Sequence, residues 1–231
     1  MTKLKLLARR LLKPKIIKEH GVLLDISSSG VSPQLRDFLY QGQYEKQEMF
    51  ILKETLDDHD TLLDIGAGIG LTSIWAAKRL RSVQRVYAVE ASPRIIESIA
   101  VNAALNKVDI VIKWGAVTIN PGDADFYMTP HFWSSSLLPK EGAQPIKVPS
   151  ISLDDLIKEH RPTYIMMDVE GAEYMILQNS DLSTIQKLCV EIHPHYIGLE
   201  KTIELIGYLS DIGFNAEKHL CSENGFFFHR S

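Results

Sequence analysis

The sequence has few cysteines, no long apolar run and only a small net charge. Cys189 and Cys221 are the only cysteines among 231 residues, so a disulfide framework is excluded and a reducing, cytoplasmic location is expected. No apolar segment approaches the length of a transmembrane span, and lysines and arginines interrupt the first residues too often for a signal peptide. The formal net charge of -4 gives no reason to expect nucleic acid as a partner.

The N-terminal segment differs from this average because it is basic. Residues 1–20 combine lysines and arginines with leucines at helical spacing, which predicts an amphipathic helix that Pro14 interrupts. Such a helix can pack its leucines against the rest of the chain, or it can make a peripheral contact with an anionic membrane surface. Both alternatives remain open at this point.

Strand-like and helix-like segments alternate after residue 60. The predicted strands are 61–65, 86–90, 109–113, 164–168, 188–192, 214–219 and 226–229. The predicted helices are 71–80, 93–105, 153–160, 172–178 and 201–209. This alternation predicts an α/β fold with a mostly parallel sheet covered by helices on both faces, while the last two strands resemble a hairpin. Prolines and glycines between residues 116 and 150 predict an irregular excursion with one short strand at 125–128.

A glycine-rich loop at 64–70 follows the first of these strands and reads Asp-Ile-Gly-Ala-Gly-Ile-Gly. Its glycines let a ligand approach backbone N–H groups directly, because no Cβ intervenes. The third glycine comes one residue earlier than in the dinucleotide pattern G-x-G-x-x-G, and the preceding Asp64 disfavours a phosphate. Glu90, about twenty residues further on, is placed to accept hydrogen bonds from both ribose hydroxyls. The two acids therefore favour S-adenosylmethionine, with a nicotinamide or flavin site and simple glycine packing as alternatives.

Acidic residues also follow the predicted strand 164–168, which should lie beside the first strand at the point where strand order reverses. Asp168 ends this strand, Glu170 lies two residues further on, and His193 follows the predicted neighbouring strand. These three are our candidates for removing the proton of an acceptor hydroxyl. Asp168 could instead hold the cofactor's amino group, and we interpret Glu173 as a structural residue at a helix start. The acids with His193 and His195 could also hold Mg²⁺, but their spacing matches no dedicated metal motif, so no metal ligand is assigned.

Several segments together resemble the FkbM-like methyltransferases. They are the glycine loop, Val-Glu-Ala-Ser-Pro at 89–93, Ser-Leu-Asp-Asp-Leu at 152–156, Asp-Val-Glu-Gly-Ala-Glu at 168–173 and Val-Glu-Ile-His-Pro at 190–194. The resemblance runs from Gly42 to the end of the chain. It implies a Rossmann-like, seven-stranded sheet with an antiparallel last strand, and methyl transfer to a hydroxyl of a small molecule or glycan. Residues 59–231 would form this methyltransferase domain, and residues 1–58 would form the basic helical extension and lead-in helices.

The predicted site combines these observations, and Glu45 enters it because Tyr44-Glu45 resembles a pair found in the family. The residues expected to contact the cofactor are Glu45, Asp64, Gly66, Ala67, Gly68, Gly70, Glu90, Ala91, Ser92, Gly115, Ala116 and Asp168. The segment 131–136 could line the acceptor pocket. Two other functions remain as alternatives, a nicotinamide-dependent oxidoreductase and a non-enzymatic protein that binds an adenosyl ligand.

Overall fold

The computed structural model describes residues 3–28, 30–80, 85–129, 135–139 and 143–230. In chain order, the helices are α1 (Lys3–Leu12), α2 (Pro33–Gln41), α3 (Lys46–Thr55), α4 (Leu71–Leu80), α5 (Ile96–Asn106), α6 (Leu153–His160), α7 (Glu173–Gln178), α8 (Pro194–Ile197) and α9 (Leu199–Asp211). The strands are β1 (Ile16–Glu19), β2 (Val22–Asp25), β3 (Leu62–Ile65), β4 (Val86–Glu90), β5 (Val111–Trp114), β6 (Ala116–Thr118), β7 (Gly122–Met128), β8 (Gln144–Ser152), β9 (Tyr164–Met167), β10 (Lys187–Glu191), β11 (Asn215–Ala216) and β12 (Gly225–His229).

The central sheet has seven strands in the order β11-β12-β10-β9-β3-β4-β5. Neighbouring strands from β10 to β5 are parallel, whereas β12 runs antiparallel to both β10 and β11. The predicted α/β architecture, with its antiparallel last strand, is therefore confirmed. The predicted pairing of the first strand with 164–168 is also confirmed, because Ile65 of β3 lies opposite Met167 of β9. Strand order reverses between β3 and β9, which is where ligands bind in open α/β sheets.

Alternate residues of each central strand face two different helical layers, as the period of a β-strand requires. Leu62 of β3 and Met166 of β9 pack on the side that contains α2 to α5. Leu63 and Ile165, one residue away, pack on the opposite side with α6, α7 and α9. Continuous apolar strands of this kind are typical of parallel sheets that are buried on both faces.

The N-terminal part contains a β-hairpin that the sequence patterns did not predict. Strands β1 and β2 pair in antiparallel register, and Leu24 of β2 is fully buried in the core of the first layer. Arg9 of α1 is buried and forms an ion pair with Glu19 of β1, with 2.7 Å between Nη1 and Oε2. The helix turns four exposed leucines outward, namely Leu4, Leu7, Leu11 and Leu12. In the described part of the chain, no helix is both long and apolar enough to cross a bilayer.

The region expected to be an irregular excursion is instead largely a three-stranded sheet, with the order β6-β8-β7. Pro145 and Pro149 lie within β8, which is why the pattern resembled a loop. Strand β6 pairs only with residues 150–152 of β8, so both prolines lie where β8 has one pairing partner, β7. A proline, which cannot donate a hydrogen bond, is tolerated on such an edge.

The secondary structure at the end of the chain is closer to its prediction than that of the three-stranded sheet. The last two strands form the expected antiparallel pair, but β11 is only two residues long. After Ala216 the chain enters a 3-10 helix, Lys218–Leu220, rather than continuing the strand to residue 219. Leu220 is buried in the core of the first layer, so burial of this leucine ends the strand early.

A close backbone contact joins the glycine loop to the end of β9. Gly66 has a φ of +83°, and a Cβ built on it would lie 1.9 Å from the carbonyl oxygen of Asp168. Its N–H also donates to the carbonyl of Val89 at 2.9 Å. Any side chain at this position would therefore push the loop away from the strand end.

We expect Gly66→Ala to lower the free energy of unfolding by about 2 kcal/mol or more beyond the effect of backbone strain, because the added methyl overlaps main-chain atoms. Gly198→Ala is the matched control, since Gly198 has a φ of +87° but no atom within 4 Å of a built Cβ. Backbone strain alone should cost the control about 1–3 kcal/mol, because Gly198 combines its positive φ with a ψ of 155°, a region that is essentially restricted to glycine. Urea unfolding followed by circular dichroism measures both values, and equal losses in the two variants would contradict the contact.

Candidate active site

A cleft of about 700 Å³ opens at the carboxyl edge of the central sheet, where strand order reverses. Its walls come from the glycine loop after β3, the end of β4, the segment after β9 and the three-stranded sheet. A smaller cavity of about 330 Å³ adjoins it and shares Glu45, Ile65, Gly66 and Asp168 with it.

Asp64 lines the smaller cavity and is held by the start of α4. Its Oδ2 atom accepts hydrogen bonds from the hydroxyls of Thr72, at 2.7 Å, and Ser73. Burial raises the pKa of Asp64, and these two hydroxyl hydrogen bonds oppose that shift. The side chain therefore fixes the helix to the strand end while it contributes a carboxylate to the cavity wall.

Glu90, at the end of β4, is buried and binds the loop backbone with both of its oxygens. Oε2 accepts from the N–H of Gly68 at 2.9 Å, and Oε1 accepts from the N–H of Ser92 at 2.7 Å. Burial raises the pKa of Glu90 to about 7, although these hydrogen bonds lower it. Each oxygen retains a second lone pair, so the residue can still accept hydrogen bonds from a ligand in the cleft.

Glu45 lines both cavities from the turn before α3. Its φ of 46° lies in the left-handed region, which is uncommon for residues other than glycine. Its Oε2 atom is buried and has no hydrogen-bond partner. Burial raises the pKa of Glu45 well above its usual value, and the charge of Asp64 adds to this effect. A strained carboxylate with one unpaired buried oxygen is typical of a functional site.

Asp168 and Glu170 project from the segment between β9 and α7. Glu170 has a φ of 56°, so this segment too contains a strained residue that is not glycine. The Oδ1 atom of Asp168 is buried without a hydrogen-bond partner, although 39% of the side chain as a whole is exposed. Burial raises the pKa of Asp168 well above its usual value, and the charges of Glu191 and Glu170 raise it further.

His193 follows β10 and is oriented by a fully buried carboxylate. Its Nδ1 atom lies 2.9 Å from Oε1 of Glu173, which also accepts from the N–H of Gly171 at 3.0 Å. The opposite nitrogen, Nε2, lies 3.8 Å from one oxygen each of Asp168 and Glu170. Burial lowers the pKa of His193, but the hydrogen bond and charge of Glu173, with the other acids, raise it overall. Glu173 is thus structural, as interpreted from the sequence, and it also positions His193.

Two further acids belong to the site and were not among the predicted residues. Glu191 ends β10, and one of its oxygens lies 3.8 Å from Nε2 of His193. Burial and the charge of Glu48, on α3, raise the pKa of Glu191 to about 7. The strand-end rule that selected Asp64 and Glu90 could also have identified Glu191. Glu48 carried no such signal, because its approach to the cleft depends on how α3 packs.

Most of the predicted cofactor contacts lie together in the structure. Those that line the main cavity are Glu45, Gly66, Gly68, Glu90, Ala91, Gly115, Ala116 and Asp168. Three do not line either cavity: Ala67 is buried in the core, Ser92 binds Glu90 through its backbone, and Gly70 packs against Ile99 of α5. Residues 131–134 lie outside the described part of the chain, whereas Ser135 lines the cleft.

The charge of the site is its main chemical property. Seven carboxylates line the two cavities, and none of the described lining residues is lysine or arginine. Such a site favours a cationic ligand and disfavours a pyrophosphate. Oxygen and nitrogen atoms of Asp168, Glu170 and His193 also come within 4.8 Å of one another, close enough to hold a metal ion. The same groups can take a proton from a hydroxyl.

Comparison with known proteins identifies a family. The family model described as Methyltransferase FkbM domain matches residues 64–216, which is about two thirds of the chain. The ribosomal protein L11 methyltransferase of Thermotoga maritima is 38% identical over 69 residues, or 30% of this chain and 25% of that protein. The chain thus spans about a quarter of the length of the curated relatives it matches.

Solved structures with a similar chain trace have low sequence identity. The ribosomal protein L11 methylase of Lactobacillus delbrueckii subsp. bulgaricus is 14% identical, with a TM-score of 0.48, over 82% of this chain and 80% of that one. The RNA methyltransferase of Salinibacter ruber, in complex with S-adenosyl-L-homocysteine, is 12% identical, with a TM-score of 0.43, over 81% of this chain and 90% of that one.

These comparisons correct one expectation from the sequence. The mildly acidic net charge led us to expect no nucleic-acid partner, but curated relatives that match part of this chain are named for methylation of a ribosomal protein. A net charge of -4 describes the chain as a whole and does not determine the charge of one binding surface. Nucleic acid is therefore not excluded.

We expect Glu173→Gln to lower the pKa of His193, because glutamine removes the negative charge that opposes the effect of burial. Histidine ring NMR spectra recorded over a pH series, assigned with a His193→Gln variant, measure this shift. His160 serves as an internal control, since burial and Lys113 lower its pKa without any contribution from Glu173. An unchanged His193 titration would show that Glu173 does not determine its charge.

Proposed function

Because the chain belongs to the FkbM methyltransferase family, which depends on S-adenosylmethionine, we propose that it transfers a methyl group from this cofactor to a hydroxyl of a small molecule or glycan. The observation that carries the proposal is the arrangement of the cleft. A glycine loop flanked by acids faces an Asp-Glu-His cluster at the point where strand order reverses.

The residues of the cleft fit S-adenosylmethionine. Glu90 has free lone pairs for ribose hydroxyls, and the backbone around Gly115 and Ala116 borders the same space. Glu45 has a buried oxygen without a partner, suited to the positive charges of the amino and sulfonium groups. When bound, the cofactor supplies an electrophilic methyl group on a positively charged sulfur.

The chain's own contribution to the reaction is alignment and removal of a proton. An aliphatic hydroxyl is a poor nucleophile until it loses its proton, so a base must lie within hydrogen-bond reach. Asp168 and Glu170 line the cleft, His193 lies beside them, and Glu173 holds the imidazole ring in place. Alignment of the two reactants in a site that excludes water contributes to the rate as well.

The acceptor side of the cleft is partly apolar. Val117 of β6, Phe126 of β7 and Leu137 line it together with Ser135. An apolar wall with nearby polar atoms suits a ring that carries hydroxyls, such as a sugar. This mixture supports a hydroxylated small molecule or glycan as the acceptor.

The cleft gives less support to the two alternative functions. A nicotinamide-dependent oxidoreductase has to bind a pyrophosphate, and the described lining residues present carboxylates there rather than basic side chains. A protein that only binds an adenosyl ligand has no need for an Asp-Glu-His cluster at the mouth. The cytoplasmic location stays a prediction.

We expect Glu90→Ala to weaken binding of S-adenosylhomocysteine about 10-fold to 100-fold, because it removes charge-assisted hydrogen bonds to the ligand. Glu97→Ala is the matched control, since Glu97 is an exposed glutamate on the helix that follows β4. Isothermal titration calorimetry measures both affinities, with NAD⁺ as a comparison ligand. Tighter binding of NAD⁺ than of S-adenosylhomocysteine would contradict the proposed cofactor.

We expect Glu170→Gln to reduce turnover at least about 10-fold while cofactor affinity is retained, because the variant perturbs only the proton-accepting side of the site. Glu200→Gln, an exposed change at the start of α9, should keep full activity. In the assay, S-adenosylmethionine carries a deuterated methyl group. The enzyme and this cofactor are incubated with separate pools of small molecules, glycans, protein and RNA.

Mass spectrometry then locates the labelled methyl group in these pools. Label on an oxygen of a small molecule or glycan is the expected result. Label found only on protein or RNA would overturn the proposed acceptor class, although it would leave methyl transfer itself intact. Full activity of the Glu170→Gln variant would remove Glu170 from the reaction.

A further inference from the structure

We propose that Asp168, Glu170 and His193 bind one divalent transition-metal cation at the mouth of the cleft. Each residue offers one ligand atom, and these atoms lie within 4.8 Å of one another. Nε2 of His193 is 3.8 Å from an oxygen of Asp168 and 3.8 Å from an oxygen of Glu170. Ligand atoms that share one cation are commonly about 3–4 Å apart, given metal–ligand distances near 2.1–2.2 Å. Only small side-chain movements separate the observed positions from such a set.

A second observation is independent of the clustering of charge. The His193 side chain is only 6% exposed, yet its Nε2 atom lies 3.8 Å from its carboxylate neighbours, beyond hydrogen-bond distance. The oxygen of Asp168 that it faces, Oδ1, is buried and has no hydrogen-bond partner. Leaving this oxygen unsatisfied costs about 1–3 kcal/mol. A cation between Oδ1 of Asp168 and Nε2 of His193 would give this oxygen a partner.

The surroundings of His193 match those of a metal-binding imidazole. Metal-bound histidines commonly place their second ring nitrogen against a carboxylate, which fixes the ring orientation and increases its affinity for the metal. Glu173 has this role here, because its Oε1 atom lies 2.9 Å from Nδ1 and the residue is fully buried. The arrangement leaves Nε2 directed toward Asp168 and Glu170.

The chemical nature of the ligands narrows the choice of cation. Carboxylates alone suit Mg²⁺ and Ca²⁺, whereas an imidazole favours transition metals such as Mn²⁺, Fe²⁺ and Zn²⁺. A set of one imidazole and two carboxylates therefore favours a divalent transition metal. Glu191 is a further acid nearby, with its Oε1 atom 3.8 Å from Nε2 of His193. Three protein ligands also leave coordination positions open for an acceptor.

The role of this cation in the reaction rests on the proposed function. A cation held by these three residues would lower the pKa of a nearby acceptor hydroxyl. A carboxylate of the same cluster would then accept the proton more readily, so the cation would assist the proposed base rather than replace it. Cation binding itself does not depend on methyl transfer and can be tested separately.

The test begins with protein freed of metals by a chelator and titrated with Mn²⁺. Electron paramagnetic resonance measures free Mn²⁺, and calorimetry gives the stoichiometry. We expect one bound ion per chain, displaced by Zn²⁺, because imidazole-containing sites follow the general order of divalent affinities. No saturable binding at millimolar Mn²⁺, or failure of Zn²⁺ to displace it, would overturn the proposal.

Variants locate the ion within the chain. Asp168→Asn, Glu170→Gln and His193→Gln should each weaken Mn²⁺ binding at least about 10-fold, and Glu173→Gln should weaken it about 10-fold through the ring orientation. His219→Gln is the matched control, because the His219 side chain is 71% exposed and lines neither cavity, so Mn²⁺ affinity should stay unchanged. Circular dichroism checks folding, and Glu170→Gln remains informative if the His193 variant unfolds. Binding that all four variants leave unaltered would place the ion elsewhere and overturn the proposal.

Titration of the same samples with S-adenosylhomocysteine separates this proposal from the proposed function. Binding of S-adenosylhomocysteine without any Mn²⁺ binding would overturn the cation site and leave the methyltransferase function standing. Binding of Mn²⁺ without S-adenosylhomocysteine would support the cation site and contradict the proposed function. Loss of methyl transfer in the chelated enzyme, restored by added metal, is the expected result for the cation's role.

Discussion

The crowding of acidic side chains at the carboxyl edge of the central sheet is the constraint on which the rest of the site depends. Seven carboxylates line two adjoining cavities without a lysine or arginine among the described lining residues. Burial and mutual repulsion raise the pKa values of Glu45, Asp168 and Glu191, so each acid resists ionisation there. A cation bound among them lowers the cost of ionisation, and part of its binding energy comes from relief of this repulsion. The fold is therefore prepared for positive charge in its ligands.

The backbone keeps these acids together at a cost to the folded state. Gly66 lets the loop after β3 approach the main chain of Asp168, which a side chain would prevent. Glu45 and Glu170 have left-handed conformations that are unfavourable for residues other than glycine. The hydrogen bond between Glu173 and His193 then fixes the imidazole between the acids. Strain at positions that meet in one cleft indicates that ligand binding, rather than stability, determines their geometry.

Sequence patterns predicted the central sheet well because a parallel sheet carries strong local signals. The apolar strands, the glycine loop and the acids at strand ends placed Asp64, Glu90 and Asp168 correctly on one edge. The three-stranded sheet was missed because the prolines of β8 resemble loop residues. They are tolerated because β8 pairs there with β7 alone. The contribution of Glu48 was also missed, because no local pattern shows how α3 packs against β10. Long-range packing of this kind leaves no periodic trace in the sequence.

The two sides of the cleft come from different parts of the chain, and this separation bears on substrate range. The acids belong to the central sheet and to α3, whose packing is tied to the core. Val117, Phe126 and Leu137, which line the cleft on the side proposed for the acceptor, belong to the three-stranded sheet and its connection, inserted between β5 and β9. That small sheet has its own apolar cluster around Ala116, Phe126 and Val148. Changes on its inner face can alter the shape of the acceptor pocket without disturbing the carboxylates, so one chemistry can serve several acceptors within a family.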